Sequence, residues 1–170
     1  IREKVRNTIA RHKMLNHDSH IALGLSGGKD SIALLEILRT LQQRHPHSTL
    51  TAISIDEGVS GYRDEALHLA TQATQRLGVE HHITSFKEHF GHTMDEIAAS
   101  QRDLNACTYC GVLRRQALNT AAREIGADRL ATAHNLDDMA QTALLNIFRG
   151  DTNRLAQIDP GGRDLPGFIR

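Results

Sequence analysis

The sequence predicts a doubly wound α/β domain built on a parallel sheet, and three observations predict it. Short apolar runs alternate with longer amphipathic segments; the first run opens onto a Gly-rich turn, SGGKDS; and Gly78 and Gly126 stand where a helix must hand over to the next strand. Parallel strands require crossover connections, so this alternation places helices on both faces of the sheet.

Taken in order, residues 1–20 form a basic helix, with Arg2, Lys4, Arg6, Arg11 and Lys13 against Glu3 and Asp18. Val5, Ile9, Met14 and Leu15 give it one thin apolar face, enough to dock on a domain and too little to fold alone. IALGL (21–25) is the first strand, followed after the turn by a helix on which Leu34, Leu38 and Leu41 share a face. LTAISID (50–56) is the second strand, and residues 63–77 its helix, with Ala66, Ala70, Ala73 and Leu77 aligned. VEHHITSF (79–86) is a third strand, in which His81 and His82 read as packing or edge residues rather than ligands. A helix over about 110–125 feeds a fourth strand, ADRLATAH (127–134). The last helix, 136–148, carries Leu136, Ala140, Ala143, Leu144 and Ile147 on one stripe, expected to face the core. After Gly150 the run is too rich in turn residues for a core element.

Composition narrows the class. A chain of 170 residues suits one domain, which at this size buries roughly 70% of the surface its unfolded form exposes. Twenty basic and twenty acidic residues cancel, so there is no global field to attract nucleic acid and any such surface must be local. With 39% hydrophobic residues and 3 prolines, disordered, collagen-like and coiled-coil chains are excluded. No apolar run approaches the roughly 20 residues needed to span a bilayer, and the charged start is no signal peptide, which points to the cytoplasm and away from a membrane. An initial Ile suggests that the natural start lies upstream. Two cysteines are too few for a disulfide scaffold.

The informative turn is Ser26, Gly27, Gly28, Lys29, Asp30 and Ser31. Between a buried strand and a helix N-terminus, such a turn aims backbone N–H groups at an anion that the helix dipole also favours. A Walker A loop would need Gly in place of Leu23 and Ser or Thr in place of Asp30, and the dinucleotide fingerprint would need Gly in place of Ser26. With a carboxylate inside the loop, the natural partner is a magnesium-bearing polyphosphate.

SGGKDS after an apolar strand resembles the pyrophosphate loop of the N-type ATP pyrophosphatases, which split ATP between its α and β phosphates and adenylate a substrate oxygen. Together with IDEGVSGYRDEAL (55–67), CTYCGVLRRQALN (107–119) and TAHNLDDMAQT (132–142), it resembles the cytoplasmic and archaeal tRNA 2-thiolation proteins, which act on wobble uridine. The resemblance covers about residues 20–149. It implies a Rossmann-like adenine nucleotide alpha hydrolase fold (PP-loop ATP pyrophosphatase) over 21–170, stopping short at its C-terminal end, with residues 1–20 as an N-terminal helix. It also implies ATP as cofactor, tRNA and a ubiquitin-like carrier or other sulfur donor as partners, and a homodimer. Thiolation of another tRNA base, cytidine or ribothymidine, and a non-catalytic nucleotide-binding module are the competing functions.

All four motifs fall beyond the carboxyl ends of the strands, where doubly wound sheets bind ligands. By resemblance the backbone from Ile53 to Ile55 holds adenine, with Asp56, His134 and Asn135 at the nucleotide. Gly58 is expected to permit its close approach. Asp56 and Glu57 also fit a solvated turn. Adenylation builds negative charge on the departing pyrophosphate, which Lys29 and a magnesium ion would offset. Asp30 and Asp138 are the carboxylates assigned to that ion. Asp138 could instead steer the substrate or act as a base, and Asp137 fits a helix cap. Arg63 is placed near phosphate or RNA, and the basic N-terminal helix is a candidate tRNA contact.

Cys107, Cys110 and Arg114 share one face if their helix begins by residue 107. The cation would favour thiolates there, and Arg114 and Arg115 could bind RNA phosphate. Taken alone the CxxC fits zinc, a redox disulfide or coincidence. By resemblance Cys107 and Cys110 ligate a [4Fe-4S] cluster, and Cys107, Cys110, Arg114 and Asp138 carry the chemistry. The cluster's third cysteine does not occur in these 170 residues, and the zinc-binding segments that family members carry at their ends are likewise absent from them. A relative that thiolates ribothymidine has lysine at the position of Arg114, so that lysine's role does not transfer automatically.

Overall fold

The computed structural model describes residues 1–61, 63–100 and 106–156, without the side chains of residues 106–108. Its sheet is parallel throughout, with strands β1 (His20–Gly24), β2 (Thr49–Asp56), β3 (Glu80–Ser85) and β4 (Arg129–Ala131) in the order β3-β2-β1-β4. The chain moves outward from β1 through β2 to β3 and then returns to the other side of β1. That reversal opens a crevice beyond the carboxyl ends of β1 and β4. The Rossmann-like reading of the sequence holds.

Both faces of the sheet are covered because both faces are apolar. On one face Ile21, Leu23, Leu50 and Ala52 pack with Leu35 and Leu38 of α2 (Lys29–Gln42) and Ala70 and Ala73 of α3 (Arg63–Leu77). Ile9 of α1 (Arg2–Arg11) and Leu15 pack against this cluster, as the thin face of the basic helix predicts; the helix itself ends at Arg11. On the other face Ala22, Ile53 and Ile55 meet Phe86 of α4 (Phe86–Phe90), Met94 of α5 (Met94–Ser100) and Ala117 and Ala121 of α6 (Ala106–Glu124). The alanines let α6 lie close on the sheet, which brings its first half to the crevice. No helix among the described residues is long and apolar enough to cross a membrane.

Four expectations need correction. The feeder helix begins at Ala106 rather than near residue 110, so the CxxC lies within its first turns. The fourth strand spans Arg129–Ala131 only, which leaves Thr132 to His134 as a loop beside the crevice. Two short helices, α4 and α5, follow β3. Each opens on a capping box: Ser85 with Glu88, and Thr93 with Glu96. Finally, the stripe on α7 (Leu136–Phe148) does not join the core. Leu136, Ala140, Leu144 and Ile147 are exposed, and the helix's buried residue is Asn146. α7 starts beyond the short edge strand β4, and the described residues contain no fifth strand for it to cover. Within the run after Gly150, α8 (Thr152–Leu155) is a four-residue turn of helix; residues 157–170 lie outside the described residues.

The two capping boxes predict an acid-sensitive contribution to stability. The Thr84 hydroxyl and the Ser85 N–H hold Glu88 below its ordinary value near 4.5, and the Thr93 N–H with Lys87 does the same for Glu96. Carboxylates depressed on folding contribute fully above the ordinary value, and the contribution is lost as pH falls through the lower folded value. Urea denaturation over pH ~3–7 should therefore show a shallower acid decline in the Glu88→Gln, Glu96→Gln double variant than in the native chain.

Candidate functional site: a phosphate loop and a cysteine helix on one crevice

The crevice holds about 700 Å³. Its floor is the end of β1 and the SGGKDS loop, with Ile53 and Ile55 of β2 beside them. Arg63, Ala66 and Leu69 of α3 form one wall, Arg114 and Leu118 of α6 another, and Thr132 to His134 close the β4 side. Polar groups therefore surround the loop, and Ile53, Ile55, Leu69 and Leu118 add apolar lining to the same crevice. That combination suits a phosphate tail and a flat base.

The loop's shape is set locally and from beneath. Gly27 has φ +83°, and a Cβ built on it would lie 2.1 Å from the Ala66 carbonyl oxygen, so only glycine allows the loop to rest on α3. The N-cap of α2 is Gly28, with no side chain to occupy the first N–H groups of the helix. Ser31 Oγ donates to the Gly28 carbonyl at 2.9 Å, and Ser26 Oγ donates to Ser31 Oγ at 3.0 Å. The Ser26 carbonyl accepts from Arg63 Nη1 at 3.0 Å. A trans peptide points its C=O and the following N–H in opposite directions, so this bond aims the Gly27 N–H away from Arg63. The arrangement can bind an anion with backbone donors.

Lys29 and Asp30 form an exposed ion pair at 2.9 Å. The hydrogen bond and charge of Asp30, with a smaller contribution from the charge of Asp138, hold the Lys29 ammonium above its ordinary range. Two carboxylates thus influence one lysine, although among the described residues no three metal-ligating side chains converge. Asn135 caps α7, its Oδ1 accepting from the N–H groups of Asp137 and Asp138, while Asp138 Oδ2 accepts from the Asn135 N–H at 2.9 Å. Asn135 and Asp138 are the capping pair, and the cap assigned to Asp137 belongs to them. Asn135→Ala should lower stability by about 1 kcal/mol, read by thermal or urea unfolding. His134 lines the crevice with its Nδ1 2.8 Å from Thr132 Oγ1.

The β2–α3 turn departs from its solvated reading. Asp56 Oδ1 accepts from the Gly58 N–H at 2.9 Å, as in an ordinary Asx turn. Gly58, at φ +68°, lies against Thr93: a Cβ there would lie 2.6 Å from Thr93 Cβ. Glu57 is buried at 3% exposure. One oxygen lies 2.8 Å from Arg63 Nε as an ion pair, and the other accepts a hydrogen bond from Arg114 Nε at 2.6 Å. Arg63 is itself buried and also donates from Nε to the Ile55 carbonyl. Its guanidinium serves the loop and the strand end. The Ile53 carbonyl likewise accepts from the Leu25 N–H.

Arg114 continues the chain of contacts to sulfur, with Nη2 3.5 Å from Cys110 Sγ. Burial opposes its charge, but Glu57 and Cys110 together outweigh that and hold the guanidinium above its ordinary range. Cys107 lies one turn earlier on the same helix; its side chain is outside the described residues. The spacing argument for a shared face is therefore supported at the backbone, and at the side chain for Cys110 and Arg114. Tyr62 is outside the described residues as well.

Comparison with known proteins fits this geometry. The family model of the PP-loop domain matches residues 1–163. The chain is 46% identical over 156 residues to cytoplasmic tRNA 2-thiolation protein 1 of Chlamydomonas reinhardtii, covering 91% of this chain and 44% of that protein. Against the protein of the same name from Caenorhabditis elegans it is 44% identical over 154 residues, covering 90% and 41%. The solved structure of the U34-tRNA thiolase NcsA from Methanococcus maripaludis with its [4Fe-4S] cluster superposes with a TM-score of 0.86 at 36% identity, covering 99% of this chain and 55% of that one. An NH3-dependent NAD synthetase from Campylobacter jejuni shares the fold at a TM-score of 0.58 and 16% identity, covering 79% and 55%. The chain spans less than half the length of these curated relatives. With the matched model extending over nearly every residue, from the basic helix through the loop and the cysteine helix, this chain belongs to the PP-loop domain family.

Proposed function

We propose that this chain is the nucleotide- and sulfur-handling part of a cytoplasmic, ATP-dependent tRNA thiolase that replaces the C2 oxygen of wobble uridine by sulfur. The observation that carries the reading is that the SGGKDS loop and Arg114 line one crevice while the Arg114 guanidinium also reaches Cys110 Sγ at 3.5 Å. A nucleotide site alone has no need of a thiol and cation one helical turn apart. Relatives named for tRNA 2-thiolation and for U34-tRNA thiolase activity support the substrate.

In this mechanism the uridine O2 attacks the α phosphorus of ATP. An O–P bond forms, the bond from that phosphorus to the bridging oxygen breaks, and pyrophosphate leaves. The backbone donors of residues 27–31 and Lys29 would offset the charge that gathers on the leaving group. For this the Lys29 ammonium turns from Asp30 to the phosphates, and Asp30 and Asp138 are the carboxylates that would hold magnesium or its waters. A hydrosulfide equivalent then adds at C2 and the C2–O bond breaks, leaving thiouridine, AMP and a proton.

The donor set suits an iron–sulfur group: two thiols one turn apart on α6, the second beside a guanidinium. Cys107 and Cys110 would hold it, with a third ligand from outside this chain, and when bound it would supply an iron able to carry sulfide. A ubiquitin-like carrier or another donor brings the sulfur, the basic α1 contributes to tRNA contact, and the protein works as a homodimer. Incubation of the intact protein with ATP, magnesium, sulfide and unmodified tRNA should yield AMP and pyrophosphate, with 2-thiouridine at the wobble position by nucleoside mass spectrometry. ADP and phosphate, or a thiolated cytidine or ribothymidine, would overturn the reading.

A further inference from the structure

We infer that Glu57 is a positioning residue for this reaction, a single buried carboxylate that fixes the phosphate loop and the cysteine helix in one register. The inference rests on the function proposed above. Its basis is a continuous set of contacts: Ser26 carbonyl to Arg63, Arg63 to Glu57, Glu57 to Arg114, and Arg114 to Cys110. Residues 26, 57 and 110 come from three different elements, and a carboxylate 3% exposed stands at the centre of the set. One negative charge faces two guanidiniums, so this cluster of three side chains carries one net positive charge. A lone buried carboxylate would be costly, and it is retained because both of its oxygens are matched.

The two arginines depend on Glu57 unequally. Arg63 is also held by the Ile55 and Ser26 carbonyls, so the loop keeps its support when the charge on Glu57 is removed. Arg114 is half exposed, and its other hydrogen bond among the described contacts goes to Cys110 sulfur at 3.5 Å, a weak anchor. Glu57 therefore governs where Arg114 sits between the crevice and the thiol. Removing its charge should spare nucleotide binding and impair sulfur transfer, because a reacting group displaced by about 1 Å costs on the order of 100-fold in rate.

The test uses the intact protein carrying Glu57→Gln, Arg114→Gln or both, with Glu57→Asp as the conservative variant. Glu57→Gln should leave KM for ATP within about 3-fold and lower kcat for thionucleoside formation on the order of 100-fold, with partial recovery in Glu57→Asp. The double variant should be no slower than Arg114→Gln alone, since one residue acts through the other. Independently of turnover, hydrogen exchange at the arginine Nε–H groups, followed by NMR without nucleotide, should quicken at least about 10-fold for Arg114 in Glu57→Gln and stay slow for Arg63. Multiplying losses in the double variant, a KM for ATP that rises in step with the fall in kcat, or unchanged exchange at Arg114 would each overturn the inference. If the native protein forms no AMP from ATP and tRNA, the proposed function fails, and the exchange measurement still decides whether Glu57 holds Arg114.

Discussion

Gly27→Ala is expected to abolish measurable ATP binding and to lower stability by about 2–5 kcal/mol, the sum of a strained positive φ and a forced contact. The contact is with backbone: the added Cβ would stand 2.1 Å from the Ala66 carbonyl oxygen and 2.9 Å from its Cα. No rotamer change relieves that, so either the loop lifts from α3 or the start of α3 moves. Both outcomes disturb Arg63, three residues before Ala66, and with it the Ser26 carbonyl. Gly28→Ala is the matched control. At φ −77° its Cβ would meet Ser26 Oγ at 3.5 Å, an ordinary contact, and the cost should be about 1 kcal/mol or less. Urea unfolding together with equilibrium ATP binding on both variants decides the matter. Equal losses at the two positions would show that packing on α3 does not distinguish them.

Arg63→Met is the second large effect, expected at about 3–5 kcal/mol. The substitution keeps the bulk and removes three interactions: those with the Ser26 carbonyl, the Ile55 carbonyl and Glu57. Side chains 9% and 4% exposed form the Arg63–Glu57 pair, so little water is available to replace what is lost. Arg63→Lys should recover only part of the stability, because one ammonium cannot reproduce a fork reaching two carbonyls and a carboxylate. A melting curve for Arg63→Met within about 1 kcal/mol of the native protein would refute this assignment.

Much of the scaffold was legible in the residues. The apolar runs, Gly78 and Gly126 located the strands and helices that the structure shows, and the hexapeptide located the loop, because those signals are local: side-chain period, turn chemistry and helix stops. The helices after β3 were legible too, since S-x-x-E and T-x-x-E at 85–88 and 93–96 are capping-box patterns; the reading ran the strand to Phe86 and drew no further helix before about residue 110. Glu57 was of another kind. Its burial depends on α6 crossing the sheet so that Arg114, 57 residues away in sequence, reaches it. No local pattern separates an acidic residue in a solvated turn from one clasped between two arginines. The α7 stripe failed for a related reason: periodicity identifies an apolar face without saying what lies opposite it.

The bond from Arg63 to the Ser26 carbonyl has a kinetic meaning. Because the six-residue turn is braced by the chain's own contacts, the entropy of ordering it is lost when the protein folds and not when a guest arrives. Encounter should then be governed by diffusion and by the attraction between Lys29 and a multiply charged tail, giving an association rate that falls with added salt and is insensitive to solvent viscosity beyond the diffusional effect.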